Sequence, residues 1–170
     1  VFGVTVTDAN GCTGSKKVTV TQNNALVFSI IGDTTVCNGG TTVLDAGPGF
    51  NTYQWSTGDS SQTITANSSG QYSVTVSDAV GCSGTDDISI TVSPPINLQI
   101  NGSSTFCNGS NTTLDAGTGF SVYKWSTGAT TQTITVNTSG TYAVTVTDIN
   151  GCTANSSLVV TEGSALTINI

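Results

Sequence analysis

Apolar and polar residues alternate along this chain in short runs. In Tyr72-Ser-Val-Thr-Val-Ser77 the apolar residues fall at every second position, the period of a strand with one face buried. Runs of this kind predict strands near residues 25–31, 40–46, 51–57, 61–66, 71–77 and 86–93. Leu44, Tyr53, Trp55, Ile64, Tyr72, Val74, Val76, Ile88, Ile90 and Val92 would face inward, and Gln54, Ser73, Thr75 and Ser89 outward. Between them stand Gly47–Gly49, Ser56-Thr-Gly58, Asn67-Ser-Ser-Gly70 and Asp78–Gly84, rich in residues that suit turns. No stretch carries the 3.6-residue period of a helix. Six or seven short antiparallel strands around one tryptophan predict an all-β fold built as a two-sheet sandwich.

The pattern repeats. Phe2-Gly-Val-Thr-Val-Thr-Asp8-Ala-Asn-Gly-Cys12 returns as Tyr72-Ser-Val-Thr-Val-Ser-Asp78-Ala-Val-Gly-Cys82 and as Tyr142-Ala-Val-Thr-Val-Thr-Asp148-Ile-Asn-Gly-Cys152, 70 residues apart each time. Residues 25–94 and 95–164 align without gaps and agree at nearly half of their positions. In this register residues 1–24 are the closing strands of one repeat, 25–94 and 95–164 are whole repeats, and 165–170 open the next. The expectation is a piece of a longer repetitive molecule. Pro94-Pro95 and Glu162-Gly-Ser164 leave linkers of a few residues, which favour a stiff array over beads on a string.

Cys12, Cys37, Cys82, Cys107 and Cys152 are 25, 45, 25 and 45 residues apart, two to a repeat. A β-domain of this size has a small core, so a crosslink within it is expected. The expected pairs are Cys37–Cys82 and Cys107–Cys152, with the partner of Cys12 before residue 1. The alternative pairs, Cys12–Cys37 and Cys82–Cys107, would join neighbouring repeats. Domains stacked end to end should hold those Cα atoms far beyond the ~6 Å a disulfide allows. Oxidised cysteines place the chain outside the cytosol.

Composition narrows the chemistry. The chain has three basic residues, a net charge of −7 and no histidine. That leaves no basic patch for nucleic acid, and His-based nucleophilic catalysis is excluded. No apolar run is long enough to span a bilayer as a helix. Asp45/Asp115 and Asp8/Asp78/Asp148 recur singly beside turns, where an Asp bonds its own turn backbone, so an enzyme is not expected. Asp86 and Asp87 could offer calcium ligands near Asp78, but Ser156 and Ser157 replace them in the next repeat, and neither a metal nor another cofactor is expected. Trp55 and Trp125, with Tyr72 and Tyr142, are expected core residues, the tryptophans packed against the disulfide; the alternative is a pair of sugar-stacking platforms. Lys16, Lys17 and Lys124 do not recur, which removes a conserved-position Lys–Asn isopeptide bond. Asn-x-Ser/Thr sequons start at Asn67, Asn101, Asn108, Asn111, Asn137 and Asn155.

Tyr53-Gln-Trp55-Ser-Thr-Gly-Asp59 with Gly70-Gln-Tyr72-Ser-Val-Thr-Val-Ser-Asp78 resembles the core motif of polycystic-kidney-disease (PKD) repeats. With Thr-Val-Cys37-Asn-Gly before Leu44, and Gly81-Cys82 closing the motif, the chain is similar to Ig-like repeats of giant Bacteroidetes surface proteins. The resemblance implies tandem immunoglobulin-like (PKD-like) antiparallel β-sandwich repeats of ~70 residues. It implies an extracellular, cell-surface stalk of a gliding-motility-type adhesin or filament, or else a carbohydrate- or surface-binding module, or a spacer of a secreted multidomain enzyme. The implied partners are neighbouring repeats, copies of the chain in a fibre, and surface glycans; the implied export route is type IX secretion through a separate C-terminal domain. Ser56-Thr-Gly58 departs from the PKD motif, which has an acidic residue and an aromatic there. Asp33-Thr34-Thr35 resembles the Bacteroidetes O-glycosylation motif, making Thr34 a candidate glycan site.

Overall fold

The computed structural model describes residues 1–22 and 25–165. These residues form strands and no helix. The strands are β1 (Phe2–Thr7), β2 (Thr13–Val18), β3 (Thr35–Val36), β4 (Thr42–Asp45), β5 (Thr52–Trp55), β6 (Thr63–Ala66), β7 (Gly70–Ser77) and β8 (Ser83–Val92). Then follow β9 (Thr105–Phe106), β10 (Thr112–Asp115), β11 (Val122–Trp125), β12 (Thr133–Val136), β13 (Gly140–Thr147) and β14 (Thr153–Glu162), each starting 70 residues after its counterpart among β3–β8. Contacts divide the chain into two compact units. The first gathers Val1–Ile31, Asp45–Ile64 and Tyr72–Ile88; the second gathers Gly32–Leu44, Thr65–Gln71 and Ser89–Ile170.

In the second unit β11-β13-β14-β9 form one sheet and β10-β12 another. All pairs are antiparallel except β14 with β9, where Thr161 faces Thr105 and Glu162 faces Phe106 in parallel. Leu114, Trp125, Ile134, Tyr142, Val144, Val146 and Val160 fill the space between the sheets. They occupy alternate positions of their strands because successive side chains leave a strand on opposite faces. Tyr142 Oη donates to the carbonyl of Thr138 at 2.9 Å, a bond from the strand back to the chain just upstream of the kind that marks the tyrosine corner. The pair β10-β12 facing the sheet β11-β13-β14, with the short first strand β9 laid along the last, is an immunoglobulin-like order. The fold is an immunoglobulin-like sandwich. The same orders recur as β3-β8-β7-β5 and β4-β6.

In the first unit β5 pairs with β7 and β1 with β2. Phe28 meets Phe50 edge-on at 5.2 Å, and Phe50 meets Tyr53 at 5.9 Å. The β1–β2 hairpin is exposed throughout.

Two features depart from the strand reading. Residues 25–31 make one isolated bridge, Ile31 to Asp45, instead of a strand. The Ile30 N–H is diverted to the Asp86 carboxylate at 2.8 Å, so Leu26, Phe28 and Ile30 turn toward the interior without a ladder behind them. Conversely β3 and β9 are strands of two residues, too short for alternation to mark. Asn101 repeats the bridge to Asp115, and Gly102 follows at φ 144°; a Cβ there would lie 2.5 Å from the Thr113 carbonyl oxygen. Only glycine lets the chain cross so close to β10. The expected strand over 165–170 lies, from residue 166 on, outside the described residues.

Leu114 is fully buried and Thr113 beside it is exposed. Leu114→Ala should lower unfolding free energy by about 2–5 kcal/mol in a denaturant titration, whereas Thr113→Ser should change it by less than about 0.5 kcal/mol.

Candidate functional site

The chemistry of this chain gathers at its cysteines. Cys37 is bonded to Cys152, with Cα atoms 5.5 Å apart and 115 residues between them. The expected pairs Cys37–Cys82 and Cys107–Cys152 do not form, nor does the alternative pair Cys12–Cys37. Strand geometry explains the correction. Cys152 directly precedes β14, whereas Cys107 directly follows Phe106, which lies beside Glu162 at the far end of that strand. β14 has 10 residues, and at ~3.3 Å per residue it separates the two cysteines by about 30 Å. A disulfide closes only when its Cα atoms approach ~6 Å. Val36 pairs with Val92 near the end of β8, while Cys82 precedes the start of that strand, so the same register keeps Cys37 from Cys82.

Each partner is presented by local chemistry. On one side Val36 leads to Cys37, and the Val36 carbonyl accepts the Ser93 N–H at 2.8 Å, which sets Cys37 beside Ser93-Pro94-Pro95. On the other side the loop Asp148-Ile-Asn-Gly-Cys152 is wound around one carboxylate. Asp148 Oδ1 accepts the N–H groups of Asn150 and Cys152, both at 2.8 Å. Gly151, at φ 80°, allows its own N–H to reach the Asp148 carbonyl. The loop then touches the linker a second time, through Asn150 Nδ2 donating to Ser93 Oγ at 3.2 Å. Ser93 is 4 % exposed and Cys152 5 %. On the chain-entropy account a crosslink over 115 residues restricts the unfolded chain by about 5 kcal/mol.

Asp8 and Asp78 wind their loops in the same way, each Oδ1 accepting the N–H groups two and four residues on. Asp45 and Asp115 are structural acceptors too: each Oδ1 takes a side-chain bond from Gln62 or Gln132 and a backbone bond from Gly47 or Gly117. Tyr53 and Tyr123 donate to the carbonyls of those same glycines. Asp86 is occupied in holding Ile30. No group of three or more His, Cys, Asp or Glu gathers among the described residues.

The other candidates fall in different places. Trp55 and Trp125 are each 2 % exposed, and each indole N–H donates to a backbone carbonyl, of Ser61 and Thr131. No stacking face is left for a sugar. For Trp125 the expected packing on a disulfide is corrected, since the core cluster around it contains no cysteine. Tyr72 and Tyr142 are buried at 9 % each. Thr34 is exposed just before β3, and its carbonyl accepts the Thr91 N–H. All six sequon asparagines are exposed.

No protein-family profile matches the sequence, and no curated protein does. Solved structures that resemble it include murine CEACAM1b, at 8 % identity and a TM-score of 0.39 over 79 % of this chain and 98 % of the other. A second is the four N-terminal Ig domains of Dscam1 isoform 6.9, at 16 % identity and 0.34 over 91 % of this chain. A third is SGBP-B of the Bacteroides ovatus mixed-linkage glucan utilization locus, bound to a mixed-linkage heptasaccharide, at 15 % identity and 0.24 over 95 % of this chain. The match spans 52 % of the length of each of the last two. At such scores the likeness carries nothing about function.

The bonds from Gln62 and Gly47 hold the Asp45 carboxyl below its ordinary pKa of 3.8, and those from Gln132 and Gly117 do the same for Asp115. A depressed carboxyl favours the folded state above its unfolded pKa, and that contribution disappears as pH falls through the lowered folded value. Melting temperature should therefore drop on acidification below about pH 4. The Asp45→Asn/Asp115→Asn double variant should show a shallower acid limb when melts are followed by circular dichroism.

Proposed function

We propose that this chain is a non-catalytic structural segment of a long extracellular stalk or filament, of the kind borne on the surface of Bacteroidetes. The observation that carries the reading is the Cys37–Cys152 bond, which ties the opening segment of one 70-residue repeat to the closing hairpin of the next. A crosslink placed there lets tension pass between repeats without relying on the short Ser93-Pro94-Pro95 link alone. Disulfides persist where thiols are not kept reduced, at cell surfaces and beyond. The exposed faces of the strands are dominated by Thr and Ser, and the net charge of −7 favours solubility.

Two further facts support a mechanical role over a binding one. The tryptophans lie in the core with their indole N–H groups already bonded. The recurring carboxylates bond their own turns instead of converging on a common point. No helix long and apolar enough to cross a membrane occurs among the described residues.

Antibodies raised against the chain should decorate extended surface fibres at regular intervals when source cells are imaged by immunogold electron microscopy. Labelling confined to compact, unattached particles in the medium would contradict the stalk reading.

A further inference from the structure

The two whole repeats differ in chemistry along their opening segments. Within residues 95–101, Ile96, Leu98 and Ile100 pack against the core, and Asn97, Gln99 and Asn101 are exposed on the other side. The outward residues 70 positions earlier are Val27, Ser29 and Ile31. A carboxamide thus stands at all three outward positions of one repeat and at none of the other. The inward positions stay apolar in both, as Leu26, Phe28 and Ile30, so the exchange concerns the surface and leaves the core chemistry alone.

The three amides border a cavity of about 310 Å³, at the small end of the ~300–1,000 Å³ range of ligand sites. Asn101 and Asp115 exchange two backbone bonds of 2.8 Å, but this bridge is isolated and the cavity opens beside it. The opposite wall is formed by the turn at Gly117 and by Phe120. Asp115 Oδ1 accepts the Gly117 N–H at 2.7 Å, with Gly117 at φ 82°. Phe120 is half-buried, and its ring meets Tyr123 edge-on at 5.9 Å. Tyr123 Oη in turn donates to the Gly117 carbonyl at 2.8 Å. One aromatic ring is therefore held in place across from three amides, whose side chains bond to none of the described residues.

Each carboxamide offers an acceptor oxygen and two N–H donors, which suits hydroxyl groups that both donate and accept. No charged side chain lines the cavity, and the net charge of −7 opposes an anionic ligand. The Phe120 ring supplies an apolar face for the C–H side of a sugar ring. A peptide strand added at this edge would need a regular row of backbone groups, which an isolated bridge does not provide. We infer that this cavity is a subsite for a neutral oligosaccharide, with Asn97, Gln99 and Asn101 bonding its hydroxyls and Phe120 packing against its C–H face. The inference goes beyond the stalk reading, since it gives one repeat of a structural segment a grip on glycan.

The test is to follow the side-chain amide signals of the whole chain by NMR while cello-, manno-, xylo- and chito-oligosaccharides are added in turn, with oligogalacturonate as the acidic probe. The signals of Asn97, Gln99 and Asn101 should shift and saturate with at least one neutral sugar and stay still with oligogalacturonate. The triple variant Asn97→Val/Gln99→Ser/Asn101→Ile installs the residues found 70 positions earlier. It should weaken binding by about tenfold or more while the melting temperature and the Cys37–Cys152 bond are kept. Phe120→Leu, which keeps apolar bulk but removes the ring, should weaken binding as well. No response to any neutral sugar up to its solubility limit, an undiminished response in the triple variant, or tighter binding of oligogalacturonate would each overturn the subsite. Surface fibres seen by microscopy together with any of these results would leave the stalk reading in place.

Discussion

One covalent constraint organises this molecule: a sulfur bridge between points that the chain reaches 115 residues apart. Everything around it serves to bring two Cα atoms to 5.5 Å. On one side a two-residue strand runs parallel to the end of a long one and delivers Cys37 to the linker. On the other a carboxylate winds a five-residue loop that points Cys152 at the same place. The sandwich supplies the distance: its last strand carries the two cysteines of a repeat at opposite ends, so neither can satisfy the other.

A crosslink inside one sandwich would stiffen that sandwich and leave the link to its neighbour to the backbone alone. The Cys37–Cys152 crosslink instead withholds 115 residues from extension, about 400 Å of chain at the ~3.5 Å a residue can span. Unfolding of the sandwiches under tension would therefore release little length while the bridge holds. The small core, with Leu114 and Val146 fully buried, needs only to keep each sandwich folded.

Much of the sandwich was legible in the sequence, because alternation on β7 and β13 is long enough to declare which side chains point inward. Tyr72, Val74 and Val76 are buried, and Ser73 and Thr75 are exposed. The Asp-x-x-Gly-Cys loop was legible as well, since an Asp followed by glycine suits a turn bonded to its own backbone. The cysteine pairing was not. Self-comparison assigns two cysteines to every repeat but is blind to which end of the sandwich each occupies. That depends on β3 and β9, and two residues leave no periodic trace. An offset of 115 is 45 plus one repeat of 70, and among these five cysteines it joins only Cys37 to Cys152. The segment 25–31 misled for a different reason: its apolar residues alternate, but a carboxylate from β8 takes the Ile30 N–H that a neighbouring strand would have used.

The Cys37–Cys152 bridge can be tested with the protein as purified, without added oxidant. Exposed thiols are alkylated first; the denatured chain is then cut after its three lysines, Lys16, Lys17 and Lys124, and weighed by mass spectrometry before and after reduction. Residues 18–124 and 125–170 should travel as one species that separates on reduction, with Cys107 already carrying the alkyl group. Cys107 protected from alkylation and found bonded to Cys152 would contradict the account.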